Sequence, residues 1–130
     1  MTSTTTENRS LGLLVSRDLF FTSKVTGTAA ALGLVVQTVP GLPQLLDKLE
    51  KSGSTCACIF LDLAMNDLDV ADLMSKLPDG PRPKVVAFGS HVATARLEAA
   101  ADAGCDEVLP RSRFSASLPE LLQKYLSASS

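Results

Sequence analysis

Five short apolar runs, each followed by a segment with helical spacing, constrain this chain more than any other feature. The runs are Leu11 to Val15, Leu34 to Val39, Cys56 to Leu61, Lys84 to Phe88 and Asp106 to Leu109. They are continuous rather than alternating and rich in Val, Ile, Leu and Phe, as strands buried on both faces are. Such a sheet is parallel, and parallel neighbours need long crossovers. The intervening segments supply them. Phe20, Phe21, Val25, Ala29 and Leu32 mark a first helix, stopped by Gly33. Pro43 opens a second, with Leu45, Leu46 and Leu49 on one face and Gly53 near its end. Leu68, Leu73 and Leu77 define a third, closed by Pro78. His91 begins a fourth, carried by Val92, Leu97, Ala100 and Ala101 and ended by Gly104. Leu118, Leu121, Leu122 and Tyr125 mark a fifth, which starts after Ser115 or Ser117. This alternation predicts right-handed crossovers and a doubly wound α/β sandwich of three layers.

With 130 residues and no internal repeat or Pro/Gly/Ser-rich linker, the chain is expected to form one domain over residues 11–127. Residues 1–10 are polar, rich in Thr and without the apolar core of a signal peptide; they are expected to be a disordered tail. The longest apolar runs are far too short to span a bilayer. A net charge of −2 and a pI near 5.3 leave no excess positive field to hold phosphate backbones, which argues against a nucleic-acid partner. Three cysteines, Cys56, Cys58 and Cys105, have no zinc spacing and apolar neighbours, consistent with buried thiols in a reducing, cytoplasmic setting. On an alternating strand, Cys56 and Cys58 would share one face as core packing.

In doubly wound folds, chemistry gathers beyond the C-terminal ends of the strands. Those exits carry Ser16, Arg17 and Asp18; Asp62; Gly89, Ser90 and His91; and Pro110, Arg111, Ser112 and Arg113. Asp62 emerges from the apolar run Cys58-Ile59-Phe60-Leu61, so its buried charge needs a partner. Arg111 and Arg113 beside Phe114 read either as a solvated turn or as a spot for acidic partners. No phosphate-cradling glycine loop occurs, and aromatics to stack on a flavin are few, which disfavours a nucleotide- or flavin-binding reading. His91 has no nucleophile and orienting group around it in the sequence and reads as a cap or surface residue.

The segment Asp62-Leu63-Ala64-Met65-Asn66-Asp67-Leu68-Asp69 resembles the phosphoacceptor segment of response-regulator receiver domains, Asp-x-x-Met-Pro-x-x-Asp, with Asn66 in place of the proline. The likeness runs over about Leu11 to Leu126. It implies a chemotaxis-type, flavodoxin-like five-stranded parallel sheet of order 2-1-3-4-5. It also implies a role in phosphorelay signal transduction, in which the strand-3 aspartate takes a phosphoryl group from a histidine kinase. In that family an acidic pair after strand 1 holds Mg²⁺, a Ser or Thr after strand 4 contacts the phosphoryl group, and a Lys after strand 5 neutralises charge. Here Ser16 and Arg17 fall on the acidic pair, Gly89 on the hydroxyl position with Ser90 next to it, and Arg111 on the lysine. Val108 stands at the aromatic switch position. Asp18, one residue late, and Asp62 are the candidate metal ligands.

These departures imply an atypical, degenerate, non-enzymatic member. Arg17 is expected to pair with Asp62 in place of bound Mg²⁺, with Arg111 as a second counter-charge. The expected function is that of a stand-alone receiver acting as a protein-interaction module. No output domain is expected to follow it. Its expected surface lies around the fourth helix, fifth strand and fifth helix, where a homodimer is also conceivable. The alternative is a working phosphoacceptor, phosphorylated on Asp62 with Mg²⁺.

Overall fold

Every residue of the central strand is buried, and the other four strands are arranged around it. The computed structural model describes residues 10–52, 55–77 and 82–126. Its strands are β1 (Leu11–Val15), β2 (Val35–Val39), β3 (Cys56–Asp62), β4 (Lys84–Gly89) and β5 (Glu107–Pro110). All pair in parallel, in the order β2-β1-β3-β4-β5. The helices are α1 (Leu19–Ala31), α2 (Leu42–Ser52), α3 (Val70–Lys76), α4 (Thr94–Asp102), α5 (Arg111–Ala116) and α6 (Leu118–Leu126). None of the described helices is long and apolar enough to cross a membrane. The expected disordered tail over residues 1–9, and the parts assigned to Gly53, Pro78 and Ser127, fall outside the described residues.

Alternate strand residues feed two cores. Leu14, Phe60, Val86 and Phe88 face α1, α5 and α6, where Phe21, Val25, Phe114, Leu118 and Leu122 meet them. Leu13, Ile59, Leu61, Val85 and Ala87 face Leu45 of α2, Leu73 of α3 and Ala100 of α4. The first core is aromatic at its centre. Phe114 stacks on Phe88 with ring centroids 4.3 Å apart, and Phe21 and Phe60 complete the group at 5.7 and 5.8 Å from Phe114.

The strands and the first helix form where the sequence places them, but β2 is mostly exposed and β5 half-buried rather than covered on both faces, and Phe20 is exposed on α1. Gly33 takes φ 75° directly after α1, and the amide of Leu34 returns to the carbonyl of Ala29. Elsewhere the chain departs from expectation. β3 is irregular at its start: Leu11 pairs with Cys56 and Gly12 with Cys58, so Ala57 is an extra residue. That bulge sends Cys56 into the α2–α4 core and Cys58 into the α1 core, rather than both to one face. α3 starts only at Val70, because Asp69 caps it by accepting from the amide of Asp72 at 2.9 Å, which leaves Leu68 in the loop. α4 starts at Thr94; Ser90 Oγ accepts from the amide of Val92 at 3.3 Å, so His91 and Val92 form a turn ahead of the helix. The expected fifth helix is preceded by α5, which begins directly at Arg111 and is pinned by the fully buried Phe114.

Truncating that anchor tests the aromatic core. Phe114→Ala is expected to lower the unfolding free energy by about 3–5 kcal/mol, seen in urea as an earlier midpoint with an unchanged slope. A loss under about 1 kcal/mol would mean that the four rings do not hold α5 to the sheet.

Candidate functional site

The sheet register places the site. Val15 of β1 lies opposite Leu61 of β3, so the next residues, Ser16 and Asp62, leave the sheet side by side. Both are buried, at 5% and 2% exposure, which makes Asp62 the one buried charged side chain among the described residues. A carboxylate taken from water at such depth must receive hydrogen bonds. Ser16 Oγ donates to its Oδ2 at 2.7 Å, and the amide of Ala64 donates to its Oδ1 at 3.0 Å. Both oxygens thus have a donor, and neither donor is a cation.

Above Asp62 an open groove of about 390 Å³ is lined by Arg17, Asp18, Ala64, Asn66, Asp67 and Arg111, among others. Its charges are paired with each other. Arg17 forks onto Asp67, Nη1 to Oδ1 at 3.1 Å and Nη2 to Oδ2 at 2.7 Å. Arg111 Nη2 donates to Asp18 Oδ2 at 2.7 Å while its guanidinium lies 4.4 Å from the centre of the Phe21 ring. Asp18 Oδ1 accepts from the amide of Phe21 and so caps α1. The Phe21 amide first, and Arg111 after it, hold the Asp18 carboxyl below its ordinary range against the opposing effect of desolvation. Asp67 is held low chiefly by its hydrogen bonds from Arg17.

Two expectations for these side chains are therefore corrected. Arg17 does not pair with Asp62; its guanidinium turns outward to Asp67, where it stays half exposed. Arg111 neutralises Asp18 rather than Asp62. Ser16, Arg17, Asp18, Asp62 and Arg111 come together, but Gly89 and Ser90 do not line the groove. Ser90 is exposed and its hydroxyl serves the turn before α4. Gly89 has a packing reason: a Cβ there would lie 3.1 Å from Leu63 Cβ, pressing on the loop that follows Asp62.

Sequence reasoning missed Arg96. From the first turn of α4 its Nη1 donates to the carbonyl of Leu63 at 2.6 Å, and its Nη2 to Asn66 Oδ1 at 2.6 Å. It clamps the loop whose Ala64 amide holds Asp62. Asn66, the departure from the resembled motif, is the one sequence signal pointing to this contact.

Magnesium is the ion that the resemblance implies, and the donor set does not fit it. Mg²⁺ asks for carboxylate and water oxygens in an octahedron. Ser16 and Arg17 take the positions that the resemblance gives to the acidic pair, and Asp18 and Asp67 are paired with Arg111 and Arg17, which leaves Asp62 as the one carboxylate lining the groove without a cation. Among the described residues no three His, Cys, Asp or Glu side chains gather into a metal-binding group.

With this geometry in place, comparison with known proteins is informative at the level of structure. No family model and no curated protein matches the sequence. Among solved structures, a response-regulator signal receiver domain from Bermanella marisrubri superposes with a TM-score of 0.74 at 21% identity, covering 90% of this chain and 98% of that one. A response regulator from Hahella chejuensis gives 0.77 at 14% identity, over 93% and 98% of the two chains. A phosphorylated cyanobacterial phytochrome response regulator gives 0.73 at 15%, over 94% and 97%. The chain has the receiver-domain fold. At these identities the likeness concerns the backbone, and the side chains of the crevice are this chain's own.

Two measurements check the receiver-fold crevice. The Asp18 carboxyl should titrate below the ordinary aspartate range, and Arg111→Gln should move it upward while the Phe21 amide keeps it low. Because its folded value lies below the unfolded one, its contribution to stability is present above the ordinary carboxylate range and is lost as pH falls through the folded value. A carboxyl carbon titration by NMR that places Asp18 at or above the ordinary value would refute the pairing. Second, Arg96→Ala should speed hydrogen exchange of the Ala64 amide by roughly tenfold, the equivalent of about 1.4 kcal/mol for a lost charged hydrogen bond. Unchanged exchange there would show that the clamp does not hold the loop.

Proposed function

We propose that this chain is an atypical receiver-type signalling module that acts through protein contacts, is not an enzyme, and accepts phosphate at Asp62 weakly or not at all. One observation carries the reading: both oxygens of Asp62 accept hydrogen bonds from within the chain, and both nearby guanidiniums are committed to other carboxylates. Phosphoryl transfer to a carboxylate brings two anions together, so it needs a divalent cation or fixed positive charge between them. Each Asp62 oxygen keeps a second lone pair, but attack sets it against a phosphoryl anion, and to supply the counter-charge Arg17 or Arg111 would have to leave its present partner. That change costs interactions already made. The partner is a signalling protein rather than nucleic acid, consistent with a net charge of −2. A cytoplasmic setting is part of this reading, in keeping with the buried Cys58 and half-buried Cys105 thiols.

The second reading, phosphorylation of Asp62 by a histidine kinase with Mg²⁺, is favoured by its position at the floor of an open groove. Incubation with acetyl phosphate and Mg²⁺ separates the two. The intact mass is expected to stay unchanged. A gain of one phosphoryl group by most of the protein that Asp62→Asn abolishes would establish the second reading and end the first.

A further inference from the structure

We infer that the free edge of β2 is the contact surface for a second copy of this chain, the two β2 strands lying antiparallel about a twofold axis at Gln37. This goes beyond the function proposed above and does not depend on the state of Asp62. The sheet ends in β2 on one side and β5 on the other, and only β5 is blunted. β5 opens with Glu107, which accepts from the Tyr125 hydroxyl and pairs with Lys124, and it closes with Pro110, which has no N–H to offer. β2 reads Val35-Val36-Gln37-Thr38-Val39, with neither a charge nor a proline, and it pairs only with β1 among the described residues. Val35 is 56% exposed, and Gln37 and Thr38 are exposed with it. An uncharged strand rich in β-branched residues on an open edge is a template for another strand.

The backbone selects the occupant and its register. The carbonyl of Val39 accepts from the amide of Ser16, so Val39, and with it Val35 and Gln37, turn their N–H and C=O groups inward to β1. Val36 and Thr38 then turn theirs outward, because these groups alternate in direction along a strand. The free ladder ends there: the Leu34 amide is already given to the carbonyl of Ala29, and Pro40 has no N–H. Outward residues placed symmetrically about Gln37 match an antiparallel copy of themselves. Val36 of one copy then lies opposite Thr38 of the other, and each such pair exchanges both of its hydrogen bonds. The same register sets Val35 of one copy opposite Val39 of the other. Beside Val39 runs an open groove of about 470 Å³ walled by Pro40, Pro43, Gln44, Asp47 and Lys48, so each exposed valine finds a seat in its neighbour. On the strands no like charges meet, since Gln37 faces its own copy on the axis. Of the flanking helices, α1 turns Lys24 away to Ser115 of α5, and the other flank of its buried stripe carries the uncharged Thr22 and Thr26. The face of α2 toward the edge carries Asp47, Lys48 and Lys51; Asp47 pairs with Lys51, and Lys48 donates to Gln37. Two bases against one acid leave a single positive charge per copy near the seam, which physiological salt screens. So short a seam buries less than the roughly 1,200 Å² of a stable complex, and the pair is a weak one, forming at about 0.1 mM and above.

The test follows the isotope-labelled full chain from about 10 µM to about 1 mM by sedimentation and NMR. A dimer should form across this range. Hydrogen exchange at the Val36 and Thr38 amides should slow by roughly tenfold as it forms, while the Gln37 and Val39 amides, bonded to β1 in either state, should not change. In a sample mixed from differently labelled copies, contacts should join the Val35 methyls of one copy to the Val39 methyls of the other. Val35→Lys places a charge at the seam and Thr38→Pro removes an outward N–H; each should weaken the dimer by roughly tenfold. Both changes spare the groups that β2 gives to β1, so the monomer spectrum should stay folded. Phe20→Ser, at an exposed apolar residue outside the seam, should leave the dimer as strong as before. The inference is overturned by a chain that stays monomeric at about 1 mM, by contacts between copies on α4, β5 and α6, by loss of the dimer in Phe20→Ser, or by a dimer unchanged in both edge variants. Val36 and Thr38 amides protected equally at every concentration would also overturn it, by assigning the edge to another segment of the same chain.

Discussion

A carboxylate buried at the end of the central strand has to be satisfied without a cation of its own, and the crevice is organised by that requirement. Ser16 lies beside Asp62 because β1 and β3 pair in register, and its hydroxyl occupies one carboxylate oxygen. The chain then turns so that the Ala64 amide reaches the other. Buried anions held by neutral donors depend on the geometry of those donors, since no long-range attraction makes up for a poor fit. The β3–α3 loop must therefore be held, and Arg96 holds it from α4.

The packing beneath the site and the charges above it are continuous. Phe21 belongs to the aromatic cluster through Phe88 and Phe114, yet its ring also carries the guanidinium of Arg111, and its amide caps onto Asp18. Arg111 in turn begins α5, whose Phe114 closes the same cluster. One residue thus links core, helix cap and ion pair. Arginine suits this place better than lysine, because its planar group stacks on the ring while still donating to a carboxylate.

Much of the fold was legible in the sequence. Continuous apolar runs gave the parallel sheet, and Gly33 marked the end of α1, since both follow from local chemistry. The pivotal position of Asp62 was legible too, as an acid ending an otherwise apolar strand. The partners of Arg17 and Arg111 were not. Spacing shows which residues leave a sheet together, but a long side chain selects among several carboxylates within reach, and Asp67 and Asp18 lie as near the exits as Asp62 does. The Ala57 bulge was hidden because a bulge changes pairing without changing composition. α5 was hidden because Arg111-Ser112-Arg113 reads as a loop until Phe114 is seen to be buried.

The central claim is that internal pairs occupy the chemistry that a divalent ion would otherwise perform. Titration of the labelled chain with magnesium to millimolar concentrations, followed at the amides of Ser16, Arg17 and Ala64 and at the Arg111 guanidinium, addresses it directly. The account predicts no saturable shift at these positions and an intact Arg111–Asp18 bond throughout. A saturable response centred on Asp62, accompanied by release of Arg111 from Asp18, would contradict it.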